Sequence, residues 1–181
     1  ETNISKTTST AYTYHLHGIS IATKTVTDPE GNVTTYTYDE ASNLTSITNP
    51  LGHLTTYSDY DASGRVGKVT SNDVITTFTY APRGWLLSST VSDLNNTKSL
   101  TTSYNYYPNG QLQSVTTADG ATTQYQYDAA GDLISVTLIA IDELNQITYD
   151  INEAGEWETA TTVKNGSVKR IERRVFDELG R

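Results

Sequence analysis

Carboxylates return at a regular interval along this chain of 181 residues, and they are the first groups that could do chemistry. Asp39, Asp61, Asp128, Asp150 and Asp177 each follow an aromatic residue. A glycoside hydrolase needs two such groups about 5–9.5 Å apart, one of them protonated. Recurrence argues against that role, because a residue repeated at one position of an array serves the array, here as a turn former. Histidine offers less. His15 and His17 are two apart and would share one face of a strand. With an acid they could begin a metal site; the plainer reading is ordinary strand residues near a turn. His53 falls in a turn-forming run, and no Gly-x-Ser-x-Gly motif accompanies it. The chain has no Cys, which excludes thiol chemistry and disulfides. Trp85 and Trp157 each follow a turn, and neither has a Trp equivalent in the other copies of the pattern described below. Such rings suit sugar stacking, and they equally suit plugging a packed seam. These residues leave two readings, a structural array or a carbohydrate-binding surface. Neither is an enzyme, and neither calls for a cofactor or a metal.

The elements that would position these groups come from a repeat. Its pattern is an aromatic, one residue, an aromatic, usually Asp, then a turn and an apolar residue. It reads YTYDEASNL at 36–44, YDASGRV at 60–66, FTYAPRGWL at 78–86, YNYYPNGQL at 104–112 and YQYDAAGDL at 125–133. Weaker copies are ITYDINEAGEW at 147–157 and VFDELGR at 175–181, and YTYHLHG at 12–18 is a degenerate one. The markers after the second aromatic are Asp39, Asp61, Ala81, Tyr107, Asp128, Asp150 and Asp177, spaced 20 to 27 residues apart. A period of this size signals a repeat architecture in which each unit contacts only its neighbours.

Within one repeat, V-T-T-Y-T-Y at 33–38 alternates as a strand does, with Tyr36 and Tyr38 on one face. Tyr60, Tyr80, Tyr106, Tyr127 and Tyr149 are their counterparts. The marker Asp can close an Asx-turn by accepting backbone N–H groups. Gly64, Gly84, Gly110, Gly131 and Gly180 then supply a residue that accepts positive φ, and Asn43 is expected in that place in the first full copy. Asp61 and Asp177 are placed to pair with Arg65 and Arg181 in their own turns. The returning strand shows an apolar residue, two others, then an apolar residue, as in Leu44 and Ile47 or Leu133 and Val136. Strict alternation does not allow that gap. Either one side chain packs outward or a bulge intervenes.

The predicted fold is therefore all-β: tandem antiparallel hairpins, about fourteen strands, forming a curved or spiralling sheet. Residues 1–11 read as a lead-in strand or partial repeat and 12–181 as the array, with a diverged repeat near 137–163 and a last copy cut at 181. Turns are expected at 39–43, 61–65, 107–111 and 128–132. An alternating ribbon of tyrosines and aliphatics is the expected spine. Glu1 and the break after Arg181 suggest a section of a longer array.

The charge bounds the partners. Twelve Lys plus Arg against 21 Asp plus Glu give −9, which opposes a nucleic-acid role. The basic stretch 164–174 reads as a solvated face. No segment has the roughly 18 apolar residues of a spanning helix.

YTYDEASNL, YDASGRV, YQYDAAGDL and FDELGR resemble the YD repeats of the RHS family, whose usual form is Tyr-x-Tyr-Asp, two residues, Gly-Arg, then an aliphatic. The full Asp-x-x-Gly-Arg form stands only at 61–65 and 177–181, and elsewhere Leu44, Trp85, Gln111 or Asp132 is read in place of Arg. The resemblance implies large, mainly bacterial, secreted or surface toxins and toxin-complex subunits, with teneurins as animal relatives. It implies a hollow shell wound from these repeats around a C-terminal toxin domain, so that flanking repeats and the enclosed toxin are the partners. Some members were described as carbohydrate-binding, which makes cell-surface glycans the alternative partner. The family's self-cleaving core domain has no match in this sequence.

Overall fold

The structure, a computed structural model, describes residues 7–16, 18–140, 143–151 and 156–174. Among them there is no helix. The strands are β1 (Ser9–Tyr14), β2 (Ile21–Thr27), β3 (Val33–Tyr38), β4 (Leu44–Thr48), β5 (Leu54–Ser58), β6 (Lys68–Ser71), β7 (Val74–Tyr80) and β8 (Leu86–Asp93). They continue as β9 (Ser99–Tyr106), β10 (Leu112–Thr116), β11 (Thr122–Tyr127), β12 (Leu133–Ala140), β13 (Glu143–Ile151), β14 (Trp157–Lys164) and β15 (Ser167–Arg173). All fifteen belong to one open sheet in chain order, a run of antiparallel hairpins. Within 137–163, the described residues 137–140, 143–151 and 157–163 lie in β12, β13 and β14. By contacts the chain divides into two units, Glu1–Thr79 with Ser89–Ser99, and Tyr80–Ser88 with Leu100–Arg181.

In the first unit the pairing explains the apolar spacing. Tyr38 faces Leu44 and Tyr36 faces Ile47, because the register shifts between Thr37 and Tyr38 and leaves Thr45 unmatched. That extra residue is a β-bulge, and it resets the alternation so that Leu44 and Ile47 return to the tyrosine face. β1 and β2 carry the same shift, with Tyr14 opposite Ile21 and Thr13 opposite Thr23. Further on, Tyr57 faces Val69. On the reverse face Thr13 and Thr23 share a hydrogen bond of 2.7 Å, and Thr37 bonds Ser46.

The second unit repeats the device. Tyr106 faces Leu112 and Tyr104 faces Val115, with Gln113 as the unmatched residue. Tyr127 faces Leu133 and Tyr125 faces Val136, with Ile134 unmatched. On its reverse face Asn105 Nδ2 donates to Ser114 Oγ at 3.1 Å. The bulge, not an outward-facing side chain, is thus the solution to the apolar spacing in both units.

Among the described residues no second layer lies over the strands of either unit. Among the described residues only Ala160, Ser92 and Ser135 are buried. The described tyrosines from Tyr36 onward, with facing aliphatics such as Leu44, Ile47, Leu112, Val115, Leu133 and Val136, are half-buried, so stability rests on strand-to-strand contact, not on a closed core.

Gly131 has φ +98°, which a β-branched residue resists, whereas Ala130 is exposed in the same turn with no such demand. Replacing Gly131 with Val should cost about 1–3 kcal/mol more than replacing Ala130 with Val. Chemical-denaturation midpoints of the two full-chain variants check this; equal losses would show that the left-handed conformation at Gly131 is not limiting.

Candidate functional site

The residues singled out by the repeat converge on the turns, so the turn is the unit to build. At 61–65 the Asp61 N–H donates to the Arg65 carbonyl and the Gly64 N–H to the Asp61 carbonyl, both at 3.0 Å. This is a three-residue hairpin loop in which a type I turn is followed by a left-handed residue. Asp61 Oδ1 accepts from the N–H of Ser63 at 2.8 Å and of Arg65 at 3.1 Å, and Arg65 Nε donates to Oδ2 at 2.6 Å. Asp39 accepts from the Asn43 N–H at 2.8 Å and from Asn43 Nδ2 at 3.0 Å. Asp128 Oδ1 accepts from the N–H groups of Ala130, Gly131 and Asp132 at 2.8–2.9 Å. Each carboxylate is committed to its own turn.

Two copies lack the carboxylate and keep the turn. Ala81 and Tyr107 make the same two backbone bonds, to Trp85 and Gly84 and to Gln111 and Gly110 respectively, at 2.8–2.9 Å. In the second, Asn109 Oδ1 takes over as acceptor for the Gln111 N–H at 3.1 Å.

The structure moves two sequence assignments. The left-handed residue of the turn at 39–43 is Ser42, at φ +68°, and not Asn43. Counting three places from the marker lands on Ser42, just as it lands on Gly64 from Asp61. Asn43 is therefore the counterpart of Arg65, and Leu44 is the aliphatic that follows. Both Asn43 and Arg65 return a side-chain donor to the marker carboxylate. The second change concerns Asp150. It lies within β13 opposite Thr159, while Tyr149 faces Ala160 and Ile151 faces Trp157. Ile151 thus takes the place of the second aromatic, and the count to Gly155 runs from Asn152. Both of those, together with His17, Asp177, Gly180 and Arg181, lie outside the described residues.

A further set of turns carries the same chemistry without the aromatic signature. Asp28 accepts from the Glu30 and Asn32 N–H groups at 2.9 and 2.8 Å, and Asn49 Oδ1 accepts from Leu51 and His53 at 3.0 and 2.9 Å. Asp28, Asn49 and Thr117 each repeat the marker's two backbone bonds, with Gly31, Gly52 and Gly120 three places on. That spacing, a polar residue three before a Gly, was the available signal. The tips at Asn72–Asp73 and Asn165–Gly166 are instead two-residue turns with positive φ at both positions.

Electrostatics follow the hydrogen bonds. The Asn43 amide holds the Asp39 carboxyl below its usual range. The Arg65 N–H, then the guanidinium, does so for Asp61. Asp28 is lowered mainly by the Asn32 side chain, Asp93 by Thr97 and Asp119 by Thr117. A carboxylate held ionised this way is the opposite of a poised general acid. His15 Nε2 lies 3.0 Å from the Tyr38 carbonyl, and His53 Nδ1 lies 3.2 Å from Asn49 Nδ2. Among the described residues no three His, Asp or Glu side chains gather as a metal site.

The aromatics serve as ties between strands. Tyr60 donates its hydroxyl to the Leu44 carbonyl at 2.6 Å, and burial raises its pKa. Tyr107 donates to the Tyr125 carbonyl at 3.1 Å and meets Tyr127 edge-on, with centroids 6.1 Å apart. Tyr36 lies beneath Lys24 Nζ. Trp85 packs 5.4 Å from Tyr106 with the Arg83 guanidinium over its ring. Trp157 packs 6.1 Å from Tyr149 with Arg174 at 3.7 Å. Arg83 and Arg174 occupy ring faces that a sugar would need. An open groove of about 550 Å³ runs along Tyr107, Gln111, Tyr127, Asp128 and Ile134.

Comparison with known proteins follows this geometry. The RHS Repeat family matches residues 23–54, 42–74 and 106–140. No curated protein matches the chain. Among solved structures, the TcdB2-TccC3-Cdc42 crystal structure is similar over 93% of this chain and 10% of its own, with TM-score 0.73 and 20% identity. TcdB2-TccC3 without its hypervariable C-terminal region gives 93%, 10%, 0.73 and 19%. The Photorhabdus luminescens Tc holotoxin pore gives 91%, 9%, 0.70 and 20%. The likeness establishes a shared fold. The chain spans about a tenth of the length of these structures.

The lowered carboxyls carry a pH consequence. Their folded pKa values lie below the ordinary value of 3.8, so their stabilisation is complete above that value and is lost as pH falls through the folded values. Melting of the full chain followed by circular dichroism should be level from pH 7 to about 5 and decline below about 4. Replacing Asp28, Asp39 and Asp61 together by Asn should lower the plateau and flatten the acid limb. An unchanged acid limb in that variant would contradict the assignment.

Proposed function

This chain belongs to the RHS/YD-repeat family, and from that premise we propose that it is a structural section of a secreted or surface toxin shell that encloses a toxin domain and performs no catalysis. The observation that carries this is the fate of the polar repeat residues. Asp39, Asp61 and Asp128 are committed to closing turns, and the tyrosines to neighbouring strands. What remains is wall. A single-layer array with the fold of the Tc structures is suited to continue into flanking repeats on either side, with residues 12–181 as one stretch of them. The negative charge of −9 argues against nucleic acid as a partner. Among the described residues no helix is long and apolar enough to cross a membrane.

The test uses the full-length parent protein. Removing residues 104–116, the second half of β9 with its turn and β10, should leave the rest of β9 without its returning strand, open the wall and expose the toxin domain to limited proteolysis, while Ala130→Val in an exposed turn leaves it protected. A toxin domain that stays resistant after the deletion would overturn the enclosing role. Hydrolysis of a glycan by the parent protein, lost on Asp61→Asn or Asp128→Asn, would overturn the non-catalytic one.

A further inference from the structure

The residue one place after the left-handed turn residue does more than end its own hairpin. In the turn at 107–111 that residue is Gln111. Its Nε2 crosses to the next turn and donates to the Gly131 carbonyl at 2.9 Å. A Cβ on Gly131 would lie 3.2 Å from the same nitrogen. In the turn at 81–85 the residue is Trp85, and a Cβ on Gly110, in the following turn, would lie 3.1 Å from its Cζ2. In the turn at 39–43 it is Asn43, whose Oδ1 would lie 3.7 Å from a Cβ on Gly64. The direction is the same each time: the fourth residue after a marker reaches the third residue after the next marker.

We propose that at 43, 85 and 111 this position is a latch between repeats, which seats its turn on the glycine of the turn that follows and passes order from one turn to the next within each unit. Glycine at the receiving place then answers two demands, positive φ and room for the neighbour's side chain. Asparagine tolerates the first at modest cost, so it separates the two. At Gly64 the neighbour leaves ordinary van der Waals space. At Gly110 and Gly131 it does not. The latch does not depend on what the shell encloses; it follows from the turn array alone.

The experiment is a set of variants in the full chain, read by thermal unfolding and by amide hydrogen exchange. Gly64→Asn should lower the midpoint by only a few degrees, and Gly110→Asn and Gly131→Asn by clearly more. The loss at 131 should be at least halved when Gln111→Ala is already present, and the loss at 110 likewise with Trp85→Ala. Strictly additive effects would overturn the latch. Gln111→Ala alone supplies a second readout in a chain that keeps its turns. Amides of residues 129–132 should exchange roughly two- to fivefold faster, and more so than those of Gln111's own turn. Gln111→Arg, which restores a donor of longer reach, should return them towards the original rate. A change confined to residues 107–111, or no rescue by Arg, would show that Gln111 acts only within its own hairpin.

Discussion

Two backbone hydrogen bonds recur at Asp39, Asp61, Ala81, Tyr107 and Asp128, one from the marker's N–H to the carbonyl four residues on, and one from the N–H three residues on back to the marker's carbonyl. The rest of the structure depends on this closure. A single-layer sheet has no interior in which to hide an error, so each N–H and C=O must find its partner on the adjacent strand. The turn decides which residue lies opposite which. It survives where Asp is replaced by Ala81 or Tyr107, so the carboxylate reinforces a geometry that the backbone already holds. The polar side chains of the marker are a second set of ties laid over the first.

With the turn fixed, the tyrosines acquire their meaning. Tyr36, Tyr38, Tyr104, Tyr106, Tyr125 and Tyr127 each face an aliphatic on the returning strand. No ring sinks into a core, since none exists among the described residues, yet each ring is half-covered by what lies beside it. Stability built this way is local and summed along the array. It also bears on the candidate catalytic and sugar-binding groups Asp39, Asp61, Asp128, Trp85 and Trp157. Their capacity for hydrogen bonding and stacking is taken up within one repeat of where they stand.

The hairpin period, the strand faces and the turns at 39–43, 61–65, 107–111 and 128–132 were legible in the sequence because aromatic alternation and turn chemistry agree there. Three things were not. Ser42 adopts the left-handed conformation although Asn43 is the better residue for it, because loop closure fixes the position by count and residue preference is the weaker force. Asp150 looks like a marker but continues a strand, since Ile151 can face Trp157 where an aromatic was expected. The alternation of the returning strand broke after its first apolar residue, and periodicity alone cannot distinguish a bulge from an outward-facing side chain. The partners of Trp85 and Trp157, Arg83 and Arg174, were hidden for another reason: the guanidinium that covers Trp157 lies on a separate strand segment, 17 residues along the chain.

The bulge has a genetic corollary. Because it restores side-chain parity inside β2, β4, β10, β12 and β14, a one-codon insertion elsewhere in such a strand would turn its aliphatics away from the tyrosines, whereas duplication or loss of a whole hairpin would leave parity intact. Genes for such arrays are therefore expected to lengthen and shorten by unequal exchange in steps of a full repeat, while single-residue length changes collect in the tips, as in the longer loop between Asp93 and Ser99.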